Sequence, residues 1–212
     1  MALKTRIIDG LGNAHEAHVT SENAFLVTEY PCPPLLPQKN KIFRQYLTTD
    51  GTSTGTYDMQ VTASLTDFVD YFIPADDDAD RYITAVSFMI TDAAAVLNKF
   101  GNIAALTNGC VFKYETSSDE VTIHGALKSN WDFVRMCLGA PAFGDAASAF
   151  RATNVIGADE AFIPVFNFLA IMPPYGIKLD RGTSQRLTLR IRDDTTGVDA
   201  FDAIAYGFER FE

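Results

Sequence analysis

The sequence predicts an all-β, mainly antiparallel protein: a jelly-roll-like β-sandwich with one or two short helices and an extended N-terminal arm. Three observations predict it. Short runs rich in Val, Ile, Phe, Tyr and Thr recur from residue 41 onward. Polar turn signals such as Asp50-Gly51, Asn108-Gly109 and Asp193–Gly197 separate them. Stretches with helical periodicity are few. With 212 residues, 47% apolar and 21% charged, the chain supports one generous domain. We divide it into an arm over 1–40 and a sandwich over 41–212.

The arm comes first. Residues 1–30 set Gly10, Gly12 and Asn13 between short apolar pieces. Tyr30, Pro31, Pro33, Pro34, Leu35, Leu36 and Pro37 follow, and four prolines in seven positions forbid helix and central strand. Polyproline-like backbone rises about 3.1 Å per residue, so this piece reaches about 20–25 Å. A solvated linker has no use for Leu35 and Leu36. The segment is therefore a strap over its own domain or an arm on a neighbouring subunit, and these seven residues are the subunit-interface candidates.

The sandwich follows in order. Ile42–Thr48 reads as a strand closed by Asp50-Gly51, with a flexible Gly/Ser/Thr loop to Thr56. Tyr57, Met59 and Val61 alternate with polar residues, and Phe68–Ile73 is an apolar run ending in the acidic turn Pro74–Asp80. In Arg81–Thr91, Val86, Phe88 and Ile90 sit at period two, which predicts one buried face. Ala93–Leu106 admits a helix ended by Gly101 and Asn102. Cys110–Tyr114 and Val121–His124 read as a hairpin about Ser117-Ser118-Asp119. Ser129 and Asp132 have N-cap spacing, which predicts a short helix over Trp131–Cys137. Leu138–Ser148 is small and irregular, and Phe162–Ile171 is strand-like again. Leu187, Leu189 and Ile191 alternate with Thr188, Arg190 and Arg192; after Asp193–Gly197, Ile204, Tyr206 and Phe208 return at period two. That pattern predicts a C-terminal hairpin. Most of the sixteen Phe are needed to fill the core.

Composition narrows the chemistry. A net charge of −10 argues against general phosphate-backbone binding. No apolar run reaches bilayer length; Pro164 and Asn167 interrupt the best one, Phe162–Met172. The N-terminus lacks the apolar core of a secretory signal, so export by that route is not expected. Cys32, Cys110 and Cys137 are too few and scattered for a disulfide framework; Cys110 and Cys137 read as small core residues.

No Gly-x-Ser-x-Gly elbow and no phosphate-binding Gly-x4-Gly-Lys loop occurs, and Gly10-Leu11-Gly12 meets His15 where a dinucleotide fingerprint needs glycine. Asp76, Asp78 and Asp80 have the spacing of the first three ligands of an EF-hand loop. Arg81 and Ser87 then stand where glycine and glutamate are required. They are a weak Ca²⁺ candidate, and a solvated acidic loop is the simpler reading. His15 and His18 lack zinc partners nearby, and His124 sits beside Ile123 in a strand. A single Trp, Trp131, argues mildly against a carbohydrate platform, and 27 acids leave no distinct carboxylate pair. No catalytic residue and no cofactor is expected.

Three segments carry a resemblance: 97–110 (Leu-Asn-Lys-Phe-Gly-Asn-Ile-Ala-Ala-Leu-Thr-Asn-Gly-Cys), 121–135 (Val-Thr-Ile-His-Gly-Ala-Leu-Lys-Ser-Asn-Trp-Asp-Phe-Val-Arg) and 189–201 (Leu-Arg-Ile-Arg-Asp-Asp-Thr-Thr-Gly-Val-Asp-Ala-Phe). With the opening Asp9-Gly10-Leu11-Gly12, Val19-Thr20 and Asn23–Val27, they resemble uncharacterised virion structural proteins of tailed bacteriophages. The resemblance covers most of the chain from about residue 5. It implies a non-enzymatic, multi-copy part of the particle, assembled in the host cytoplasm, whose partners are other virion proteins and copies of itself. A capsid-associated decoration protein is the first expectation. A tail, neck or baseplate component is the second, and a glycan-binding or glycan-cleaving sandwich at the host surface is the third. An acidic sandwich with no catalytic signature and a Pro-rich arm suits the first two. An arm with little apolar area binds weakly per copy and gains strength from multiplicity. Neither specific nucleic-acid binding nor membrane association is expected.

Overall fold

The computed structural model describes residues 3–8, 14–19, 40–92, 96–138, 151–153, 160–170, 172 and 174–211. Strands β1 (Leu3–Ile8) and β2 (Ala14–Val19) pair as an antiparallel hairpin, Leu3 opposite Val19. The rest is an all-β antiparallel sandwich with one α-helix among the described residues.

The larger sheet runs β3 (Asn40–Tyr46), β13 (Ala200–Arg210), β5 (Asp80–Asp92), β9 (Glu160–Phe162) and β8 (Arg151–Thr153). Strand β5 also pairs with β10 (Val165–Asn167) and β11 (Ile177–Leu179). The smaller sheet runs β4 (Val69–Pro74), β12 (Arg186–Ile191), β6 (Cys110–Glu115) and β7 (Glu120–Leu127). Helix α1 (Asn130–Leu138) follows β7. Ser129 and Asp132 cap it reciprocally: Ser129 N–H donates to Asp132 Oδ2 at 3.0 Å, and Asp132 N–H donates to Ser129 Oγ at 3.3 Å.

Period two delivers the core. Val86, Phe88 and Ile90 of β5 are fully buried, as are Leu187, Leu189 and Ile191 of β12. Edge-to-face rings join the layers: Phe88 meets Phe112 at 5.6 Å and Phe133 at 5.3 Å, and Phe100 meets Phe201 at 5.0 Å. Cys110 is buried and Cys137 packs against the core.

Two expectations are corrected. The β6–β7 hairpin forms, Glu115 opposite Glu120, but the C-terminal hairpin does not. Strand β12 pairs with β4 and β6, whereas β13 pairs with β3 and β5 in the other sheet. The loop 192–199 carries the chain across, and its side chains are tied to other segments. Asp193 accepts the N–H groups of Asn108 at 2.9 Å and Gly109 at 2.6 Å, and Thr195 Oγ1 donates to Met59 O at 2.6 Å. The two apolar rows thus meet through the core and not side by side. Residues 96–106 are turns, not helix. Asn130 captures their backbone: its Oδ1 accepts Gly101 N–H at 2.8 Å and its Nδ2 donates to Val96 O at 2.9 Å. The segment 56–64 is extended without joining a ladder, held by Met59 N–H to Phe201 O at 2.9 Å.

Candidate interaction surface

The seven interface candidates of the arm, Tyr30, Pro31, Pro33, Pro34, Leu35, Leu36 and Pro37, lie outside the described residues. The acidic turn is described, and two of its four carboxylates, Asp76 and Asp80, are engaged by the protein. Asp76 Oδ1 accepts the N–H of Asp78 at 2.9 Å, and its Oδ2 accepts Arg81 Nη2 at 2.8 Å. Asp80 pairs with Lys178 Nζ at 2.8 Å, and Asp78 is exposed. Among the described residues no three His, Cys, Asp or Glu converge as metal ligands. His15 and His18 fall on β2. His124 Nδ1 lies 3.1 Å from Gly125 O on β7. Burial pushes the Cys137 thiol up to about 12 and Cys110 higher still, so neither is a ready nucleophile.

The outer faces of the two sheets are chemically opposite. On the smaller sheet, alternate positions of β12 and β6 form an ion-pair lattice. Lys113, fully buried, donates to both Glu115 and Glu120. Glu115 also accepts Arg186 Nε and Thr188 Oγ1, each at 2.6 Å. Arg190 forks onto Asp70 at 2.7 and 2.8 Å and lies over the Phe68 ring at 3.7 Å. Burial opposes ionisation of Glu115, but the bonds from Lys113, Thr188 and Arg186 outweigh it and hold its carboxyl down to about 2. A cleft of about 460 Å³ lies between Phe68 and Arg192 on this face, and one of about 580 Å³ lies between Arg186 and the β6–β7 turn.

The larger sheet turns rings and aliphatic chains outward. On β3, Ile42 is 88% exposed and Tyr46 36%. They flank Phe208 and Ile204 of β13 in register, with Arg44 beside Tyr206. Tyr82 of β5 stacks on Phe208 at 4.7 Å and meets Tyr175 edge-on at 5.7 Å. Tyr57, 49% exposed, stacks on Tyr46 at 4.5 Å, and Val165 adds an exposed side chain across from Ser87. One acid stands at the end of this face. Burial, then the charge of Asp58, pushes the half-buried Asp202 carboxyl up to about 6. Trp131 packs against the core and is no open platform.

Sequence reasoning missed this face. Its signal lies in β13: Phe201, Ala203 and Ala205 face the core, yet the intervening Ile204, Tyr206 and Phe208 are apolar too. A strand apolar on both sides has two faces to cover. Segments 97–110, 121–135 and 189–201 converge in space. Asp193 clasps Asn108 and Gly109, Asn130 clasps Gly101, Asn102 Nδ2 donates to Asp199 Oδ1 at 3.3 Å, and Phe100, Phe133 and Phe201 pack together. They build one corner of the sandwich. No family model, no curated protein and no solved structure matches the chain.

Proposed function

We propose that this chain is a non-enzymatic structural protein of the bacteriophage virion, a capsid-associated decoration protein that stabilises the particle by bridging subunits. One observation carries the assembly part of this reading: the larger sheet presents a largely apolar outer face, while ion pairs cover much of the smaller sheet's, leaving Leu65 and Phe68 exposed beside them. Large exposed apolar faces on otherwise charged proteins are contact surfaces. The resemblance supplies the virion, and its shared segments form a structural corner made of backbone clasps and packed rings. Binding only the assembled shell, such a protein adds its binding energy to that state alone. A tail, neck or baseplate position uses the same contacts.

A glycan-binding reading finds one supporting feature, the exposed Tyr46–Tyr57 stack near Asp58 and Asp202. The test is compositional. Peptide mass spectrometry of gradient-purified particles, after separating heads from tails, should find the chain in many copies with the heads. Recovery with tails moves it to the second position. Absence from particles overturns the virion reading.

A further inference from the structure

The outward row of β13 reads Asp202, Ile204, Tyr206, Phe208, Arg210. Turned end over end about Tyr206, it reads Arg210, Phe208, Tyr206, Ile204, Asp202. Acid then meets base, and apolar meets apolar. We propose that this face is the contact between two copies of the chain, packed sheet to sheet about a two-fold axis near Tyr206, so that Asp202 of each copy meets Arg210 of the partner subunit. The inference deepens the assembly reading above by naming its first contact.

The row lies on one face along its whole length. Pairing of β13 with β3 runs without a register shift from Ile204–Tyr46 to Arg210–Asn40, and the shift between Tyr206 and Gly207 is confined to the β5 side. The inward alternates Phe201, Ala203 and Ala205 are buried in the core. Opposite Ile204 and Phe208 the outward neighbours are apolar or small, Ile42 and Tyr46 from β3 and Tyr82 and Ser87 from β5; Arg44 and Ala85 flank Tyr206, and Asn40 and Asp80 flank Arg210.

Charge selects the antiparallel arrangement. Among the described residues no base pairs with Asp202; the charged group beside it is Asp58, with the Tyr46 and Tyr57 rings next to them. Burial and Asp58 both favour the neutral carboxyl, and an arginine brought by a partner supplies the missing cation. A parallel arrangement would set Asp202 against itself. Arg210, at the other end, is exposed, and Asp80 across from it is already engaged by Lys178 at 2.8 Å. Arg44 is level with the axis, so the rotation sets it against Arg44 of the partner subunit; each guanidinium lies over a Tyr206 ring at 5.8 Å, and the ring face offsets part of that repulsion. Eight residues along β13 span about 27 Å and four strands about 19 Å, so two copies cover about 1,000 Å² in all. That is the lower limit for a specific contact, the size class of weak and transient encounters.

The test is the mass of the full chain by light scattering from about 5 to 200 µM. We expect twice the 23.3 kDa chain, or an even multiple, at the upper end. Ile42→Glu, at a position 88% exposed, should keep its circular dichroism and melting temperature yet weaken association at least tenfold. Asp202→Arg and Arg210→Asp should each weaken association, and the double variant should restore it. A trimer, a dimer indifferent to Ile42→Glu, or failure of the double variant to recover overturns the proposal. A wild-type monomer at every concentration overturns it too, and assigns the face to residues 1–39 of the same chain or to another protein. Particle composition is a separate readout, so the virion reading can fail or stand independently.

Discussion

Lys113 sits fully buried on the outer side of a sheet, a position where an unmet ammonium costs several kcal/mol. Glu115 and Glu120 meet it, and Glu115 in turn is shared with Arg186 and Thr188. Removing one member of such a set is therefore worse than any single pair suggests. Lys113→Met should lower stability by about 3 kcal/mol in urea unfolding, because two carboxylates lose their shared partner. The same set makes stability depend on pH. The Glu115 carboxyl is held down to about 2 in the fold against an ordinary value of 4.5. Its contribution is complete above pH 4.5 and is lost as pH falls toward 2. Glu115→Gln should flatten that limb of the stability profile while lowering stability at pH 7; an unchanged acid limb would place the titration elsewhere. None of this was legible in the sequence, where Lys113 and Glu115 are two charges of one strand and Arg186 is a single charge in another, far along the chain. Asp193 is similar: it reads as a turn residue, and its clasp on Asn108 and Gly109 exists only once β12 and β6 are neighbours.

Elements with a local cause were legible. The β6–β7 hairpin has its turn residues between its strands, and α1 has its capping pair in Ser129 and Asp132. The C-terminal hairpin was misread because period two reports a buried face and not the neighbour that covers it. Both β12 and β13 have such a face, and the long loop between them allows them to lie in different sheets. The helix that Ala93–Leu106 admitted is absent from its described part for a non-local reason, since Asn130 takes the backbone groups a helix would use. Strand β13 also carries a feature invisible at the level of pattern. At Gly207 the β5 backbone comes so close that a Cβ would lie 1.8 Å from Tyr82 O, beside the bulge. Gly207→Ala should therefore cost about 2–4 kcal/mol by denaturant titration, since backbone must move to admit one methyl group. A cost below 0.5 kcal/mol would mean that the bulge relaxes freely.

At the scale of the whole molecule, two surfaces compete to explain assembly: the sheet face and the N-terminal segment. They separate by removal. The seven candidate residues of that segment precede Asn40, where β3 begins, and among the described residues the buried core positions lie at or beyond Phe43. Deleting residues 1–37 should thus leave a folded sandwich with the circular dichroism of a β protein and a cooperative melt. It should also leave the sheet face intact, so the truncated chain should still form pairs in solution at high concentration. On the proposal that this segment tethers copies, what it should lose is joining larger assemblies, because a weak tether works through the many copies it links, and its removal cancels all of those links at once. Light scattering and cosedimentation with emptied shells read the two losses independently. If the truncated chain fails to fold, the segment is a strap that completes its own domain, and Leu35 and Leu36 belong to that domain's core. If it folds and still decorates shells, the arm is dispensable and the bridging must run through the apolar face, which would then meet the shell as well as a second copy.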